Sequence, residues 1–168
     1  KALQMDTANE DIRKNLINIY YHNNFYKTIF EINEKVTCFA QHPINKDLYL
    51  GLENGDIRIV NSTDYSVRDL KGHDNSVTSI VFSDNGKQVL SASLDCTAIL
   101  WVGDTVFSIY HNRDYNYSNE GERKFAVFLE DKVIANLADN ELFVFNINGS
   151  LDRIINAHDD RITVLKAF

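Results

Sequence analysis

The sequence predicts an all-β fold built from a repeated unit of roughly forty residues. The first observation is spacing. Val36 and Val60, and again Val77 and Trp101, lie 24 positions apart, and Ile19 to Val36, Val60 to Val77 and Phe145 to Ile162 are each 17 apart. His158 follows His73 by 85 residues, about two such periods. The second observation is local pattern: short apolar or alternating runs are punctuated by Asn54-Gly55, Asn85-Gly86 and Asp139-Asn140. The third is composition. At 44% hydrophobic and 11% aromatic, with one Pro and one Met, the chain is too apolar for disorder. Its abundant Ile, Val, Phe and Tyr suit sheet.

In chain order, residues 1–14 do not read as the strand that the period demands. Thr7-Ala8-Asn9-Glu10 has the form of a helical capping box, with Asp6, Glu10 and Asp11 early in the segment. A short inserted helix and a piece whose neighbours lie elsewhere both remain open. Residues 15–31 read as the back of one unit. In the next, at 36–70, Val36-Thr37-Cys38-Phe39-Ala40 is the first strand and Leu48-Tyr49-Leu50-Gly51 the second. Glu53-Asn54-Gly55 is the tight turn, and Asp56-Ile57-Arg58-Ile59-Val60 the third strand. The following unit, 77–110, has an apolar first strand (Val77, Ile80, Val81, Phe82), a turn at Asp84-Asn85-Gly86 and a second strand ending Leu90-Ser91-Ala92-Ser93. A tight turn at Asp95 and a third strand ending at Trp101 complete it. Another unit occupies 125–155, and the chain ends within a further first strand, 162–168.

The stretch from Gly72-His73 to Trp101 resembles the WD-repeat family, whose repeats run from a Gly-His to a Trp-Asp with an Asp turn before the last strand. The resemblance implies that each repeat builds one four-stranded antiparallel blade of a β-propeller. It therefore implies an all-β partial propeller over residues 15–168, with about three and a half blades present. A closed propeller needs roughly 4–8 blades of about 40–45 residues, and an open set leaves sheet edges exposed. The expectation is thus part of a larger, seven-bladed type of propeller, the remaining blades coming from the same parent chain. A four-bladed ring, or closure by a partner's blades, are the alternatives, and mass spectrometry of the intact protein distinguishes them.

The family pattern also weighs on the chemistry. Ser91, His73 and Asp95 are the residue types of a nucleophilic triad. In the WD-repeat family, however, a His before the first strand, a Ser in the second, an Asp in the tight turn and a Trp in the third form a buried hydrogen-bonded chain. By resemblance these are His73, Ser91, Asp95 and Trp101, a structural set. The other units depart from the pattern. Ile32, Asn54 and Val60 stand for His, Asp and Trp in the 36–70 unit; the 125–155 unit keeps Asp139 but has Phe145 for Trp and no Gly-His. Apolar packing is expected to hold them.

The five histidines, His22, His42, His73, His111 and His158, are not at metal-ligand spacing, and no paired cysteines, glycine-rich phosphate loop or HExxH run is present. No enzyme, metal or cofactor is expected. Net charge is −7 and pI about 5.1, with no basic run, which disfavours direct nucleic-acid binding. No run of 18 or more apolar residues spans a membrane. Cys38 and Cys96 read as reduced, packed thiols of an intracellular protein. The triplets at Asn61-Ser62-Thr63, Asn116-Tyr117-Ser118 and Asn148-Gly149-Ser150 are discounted as glycosylation sites in so Asn-rich a chain.

Function then points to a non-enzymatic interaction scaffold within a multiprotein complex, binding proteins or peptides. In propellers of this family, the loops leading into each first strand and the residue before each tight turn line one face. Those positions are Asn33 and Glu34, Asp74, Asn75 and Ser76, and Asp159, Asp160 and Arg161, with Glu53, Leu94 and Ala138 before the turns. The face is net acidic, so a basic partner segment is expected. Residues 111–123 lengthen one connection; they read either as a solvated loop or as a partner contact through Tyr115 and Tyr117. Two alternatives remain. A ubiquitin-ligase substrate receptor often carries Trp-Asp-x-Arg, where this chain has Trp101-Val102-Gly103-Asp104. Phosphoinositide-binding propellers use paired arginines, and this chain has no adjacent arginines.

Overall fold

A computed structural model of the chain describes residues 16–21, 24–111, 124–137 and 141–156. The expectations placed on residues 1–14, 115, 117, 138 and 159–168 lie outside the described residues. The chain divides into two compact units, Lys1–Val36 and Thr37–Phe168. In the first, β1 (Leu16–Tyr21) pairs antiparallel with β2 (Asn24–Glu31), Leu16 opposite Glu31 and Ile19 opposite Thr28.

The remaining strands form three four-stranded sheets, each an antiparallel meander in chain order. The first holds β3 (Val36–Gln41), β4 (Leu48–Leu52), β5 (Ile57–Val60) and β6 (Val67–Leu70). The second holds β7 (Val77–Phe82), β8 (Gln88–Ser93), β9 (Thr97–Val102) and β10 (Thr105–His111). The third holds β11 (Phe125–Leu129), β12 (Lys132–Asn136), β13 (Glu141–Asn146) and β14 (Leu151–Asn156). No helix occurs among the described residues. These are four-stranded antiparallel blades of a β-propeller.

Period-two alternation decides how the blades stack. In β8 and β9, Leu90, Ala92, Ala98 and Leu100 pack with Ala126, Val133, Ala135, Phe143 and Phe145 of the third sheet. Their neighbours Val89, Ile99 and Trp101 pack with Tyr49, Ile57, Ile59 and Leu70 of the first. One strand pair thus supplies two cores, because successive side chains leave opposite faces of a pleated sheet. The fourth strands contribute little: all of β14 and most of β6 and β10 are exposed.

The turns are set by Asn and Asp side chains that accept the amide two residues on, a local substitute for a backbone turn bond. Asn54 Oδ1 takes Asp56 N at 3.0 Å, Asn85 Oδ1 takes Lys87 N at 2.9 Å, Asp95 Oδ1 takes Thr97 N at 2.8 Å and Asn148 Oδ1 takes Ser150 N at 3.0 Å. In each of the tight turns between second and third strands, one residue is left-handed: Gly55 with φ +94° and Cys96 with φ +62°. Glycine adopts that conformation freely, whereas cysteine is strained there.

Candidate functional site: a polar rim on the second unit

Three short backbone segments meet at one edge of the second unit: the turn Glu53–Asp56, the loop Gly72–Ser76 leading into β7, and the turn Leu94–Cys96. The loop is tied to the latter turn three times. Asp74 N donates to Asp95 Oδ2 at 2.9 Å, Ser93 Oγ donates to the Asn75 carbonyl at 2.8 Å, and Leu94 N donates to the Ser76 carbonyl at 3.0 Å. The first turn closes from the other side. A Cβ placed on Gly55 would lie 2.4 Å from the His73 carbonyl oxygen and 3.1 Å from that of Asn75, so only glycine fits.

Beneath this rim lies a buried polar chain. His73 Nε2 is 2.8 Å from Ser91 Oγ, and His73 Nδ1 is 3.0 Å from Asp95 Oδ2. Trp101 Nε1 donates to Ser91 Oγ at 2.8 Å, and the Thr97 hydroxyl donates to Asp95 Oδ1 at 2.6 Å. Because Ser91 Oγ accepts from the indole, its own hydrogen is directed to Nε2, which leaves Nδ1–H to donate to the carboxylate. Burial pushes the Asp95 carboxyl up, but the His73 hydrogen bond and charge, the Thr97 hydroxyl and the Asp74 amide outweigh it and hold it below the usual carboxylate range.

The Ser–His–Asp connectivity matches that of a nucleophilic relay. Ser91 is fully buried, however, and its oxygen is occupied by the indole N–H, so no substrate carbonyl reaches it. What the chain does here is satisfy polar groups in a core and fix the loop above through the Asp74 amide.

On the rim itself, Glu53, Asn54, Asp74 and Asn75 are exposed and Leu94 is half-buried. Ser76 is only 6% exposed, and Asn75 Oδ1 accepts its amide at 2.7 Å; it contributes backbone rather than side chain. Lys71 Nζ stands 4.0 Å from Asp56 Oδ2. Glu34, half-buried, belongs to the first unit. Among the described residues no group of three or more His, Cys, Asp or Glu could hold a metal, no disulfide forms, and no helix is long and apolar enough to cross a membrane.

Two residues absent from the sequence reading join the blades. Thr37 Oγ1 bonds the carbonyls of Gly51, at 3.0 Å, and of Val77 in the next sheet. Thr78 Oγ1 does the same one blade on, with Ala92 O at 3.2 Å and Lys124 O at 2.6 Å, while accepting Lys124 N at 3.2 Å. The signal was present in the sequence as a β-branched residue followed by Thr at three strand heads: Val36-Thr37, Val77-Thr78 and Ile162-Thr163.

The comparisons with known proteins agree with this architecture. The family model described as WD domain, G-beta repeat matches residues 64–102, a window running from the turn before β6 to the end of β9. It thus spans the outer strand of one blade and the three inner strands of the next. F-box/WD repeat-containing protein 5 of Rattus norvegicus and of Mus musculus is 35% identical over 65 residues, 39% of this chain and 11% of those proteins. The Homo sapiens protein of the same name is 34% identical over 65 residues, 39% of this chain and 12% of its own length. The chain therefore matches about a tenth of the length of these relatives. The crystal structure of the WD40 β-propeller domain of Doa1 superposes with a TM-score of 0.70 at 17% identity, over 89% of this chain and 50% of that one, a likeness of fold.

Proposed function

Because this chain belongs to the WD-repeat β-propeller family, we propose that it is a non-enzymatic protein–protein interaction scaffold in an intracellular multiprotein complex. The observation that carries the reading is the rim: Glu53, Asp74 and Asn75 are exposed on backbone that is locked from below by the His73–Asp95 chain and from the side by Gly55. A surface that loses little entropy on binding needs few contacts for specificity. Its side chains are acidic or neutral, so the partner that fits is an extended segment bearing Lys or Arg. The net charge of −7 argues against nucleic acid as a direct partner, and the absence of adjacent arginines argues against a phosphoinositide headgroup.

A second reading, a substrate receptor of a ubiquitin ligase, is favoured by the likeness to the F-box/WD repeat-containing proteins, which rests on 65 residues. Affinity purification followed by mass spectrometry separates the two. A stoichiometric set of other proteins supports the scaffold; ligase subunits alone support the receptor. Charge reversal at Glu53→Lys with Asp74→Lys is expected to release a partner held by the rim. Retention of the same partner by that variant would exclude the rim as its site.

A further inference from the structure

The three blades close with fourth strands of different character. The outer strand β6 carries Arg68 and Asp69, paired to Asp104 at 3.2 Å and to Arg58 at 2.9 Å. The outer strand β14 carries Asp152 and Arg153, and Lys132 Nζ stands 3.6 Å from Asp152. Charges of this kind discourage a second strand from adding to a sheet edge. From Thr105 to Tyr110, β10 contains no charged residue, yet it is the longest of the three at seven residues. Phe107 is 59% exposed, Ile109 50% and Val106 37%. Phe107 also has no partner in the register with β9, which passes from Val106↔Trp101 to Ser108↔Leu100.

We propose that β10 is a homodimerisation edge, to which a second copy of this chain adds its own β10 antiparallel about a two-fold axis at Ser108. The outer edge of β10 offers a row of backbone N–H and C=O groups that another extended strand satisfies in full. Pairing about Ser108 sets Phe107 of each copy opposite Ile109 of the other. An aromatic residue facing a β-branched one is a favourable cross-strand pair, and it occurs twice in a contact of this symmetry. Charge selects the same edge. Two copies that each carry a net charge of −7 repel, and a neutral strand is where they meet at least cost. The contact is separate from the acidic rim and leaves that surface available.

Sedimentation velocity of the chain over a wide concentration range tests the proposal, alongside Phe107→Lys, Ile109→Lys and, as a control on another outer strand, Ile154→Lys. All three positions are exposed, and the fluorescence of Trp101, the sole tryptophan, checks that each variant folds. The expected result is a concentration-dependent dimer that is lost in the first two variants and kept in the third. Slowed amide exchange confined to residues 106–110 at high concentration is expected with it. A chain that stays monomeric throughout overturns the proposal. So does a dimer that survives Phe107→Lys, or one lost equally with Ile154→Lys.

Discussion

Asp95 is the side chain on which the rim depends most, and its removal has a calculable cost. It is 5% exposed and accepts from His73 Nδ1, Asp74 N, Thr97 N and the Thr97 hydroxyl. Asp95→Ala leaves these donors without that acceptor, at ~1–3 kcal/mol for each one that stays buried. Two of the losses are recoverable: Asp74 is exposed and takes water, and Thr97 Oγ1 lies 3.0 Å from His73 Nδ1 and can accept from it. The net loss is therefore about 3 kcal/mol rather than the sum. Asp95→Asn keeps the turn, since Asn54 makes the same Oδ1 bond in the neighbouring blade, and forfeits the charge assistance to His73; about 1 kcal/mol is expected. Urea unfolding followed by Trp101 fluorescence reads both directly, because the indole is itself bonded to Ser91 in the same chain. An Asp95→Ala midpoint equal to wild type, or an Asp95→Asn variant as damaged as Asp95→Ala, would refute the reasoning.

Four further outcomes follow from the same geometry. Asp95 titrates lower folded than unfolded, so its contribution is complete above the unfolded value of about 3.9 and fades as pH falls through the folded one; the stability gap between wild type and Asp95→Asn should narrow in acid. Gly55→Ala should cost about 2–4 kcal/mol, because φ is +94° and the new methyl meets the His73 carbonyl; a thermal midpoint within a degree of wild type would contradict this. Thr78→Val should lose about 1–2 kcal/mol and Thr78→Ser much less, as the hydroxyl bridges Ala92 and Lys124, and equal losses would point to packing instead. Cys96→Gly should be neutral or stabilising by up to ~1 kcal/mol through relief of its left-handed backbone, measured by the same unfolding assay.

The all-β character was legible because its causes are local. Asn-Gly and Asp turns fix short strands, and alternation such as Val89-Leu90-Ser91-Ala92 marks a strand with two buried faces. His73, Ser91, Asp95 and Trp101 could be picked out because polar residues recur at fixed strand positions in a known repeat. What was not legible depends on contacts between blades. Thr78 meets Lys124 across 46 positions, and no local pattern announces that its hydroxyl will bridge two sheets. The burial of Ser76, beside two exposed neighbours, follows from how the loop docks on the turn at Leu94 rather than from its residue type. The uncharged edge of β10 was present in the sequence, but it gains meaning only beside the charged edges of β6 and β14.

The most direct test of the central claim is paired affinity purification of the protein and of its Glu53→Lys/Asp74→Lys form, with quantitative mass spectrometry of what co-purifies. The scaffold account predicts a stoichiometric set of proteins with the native rim, and loss of at least one member that contacts the rim through Lys or Arg when its charge is reversed. An identical set recovered by both forms would contradict it.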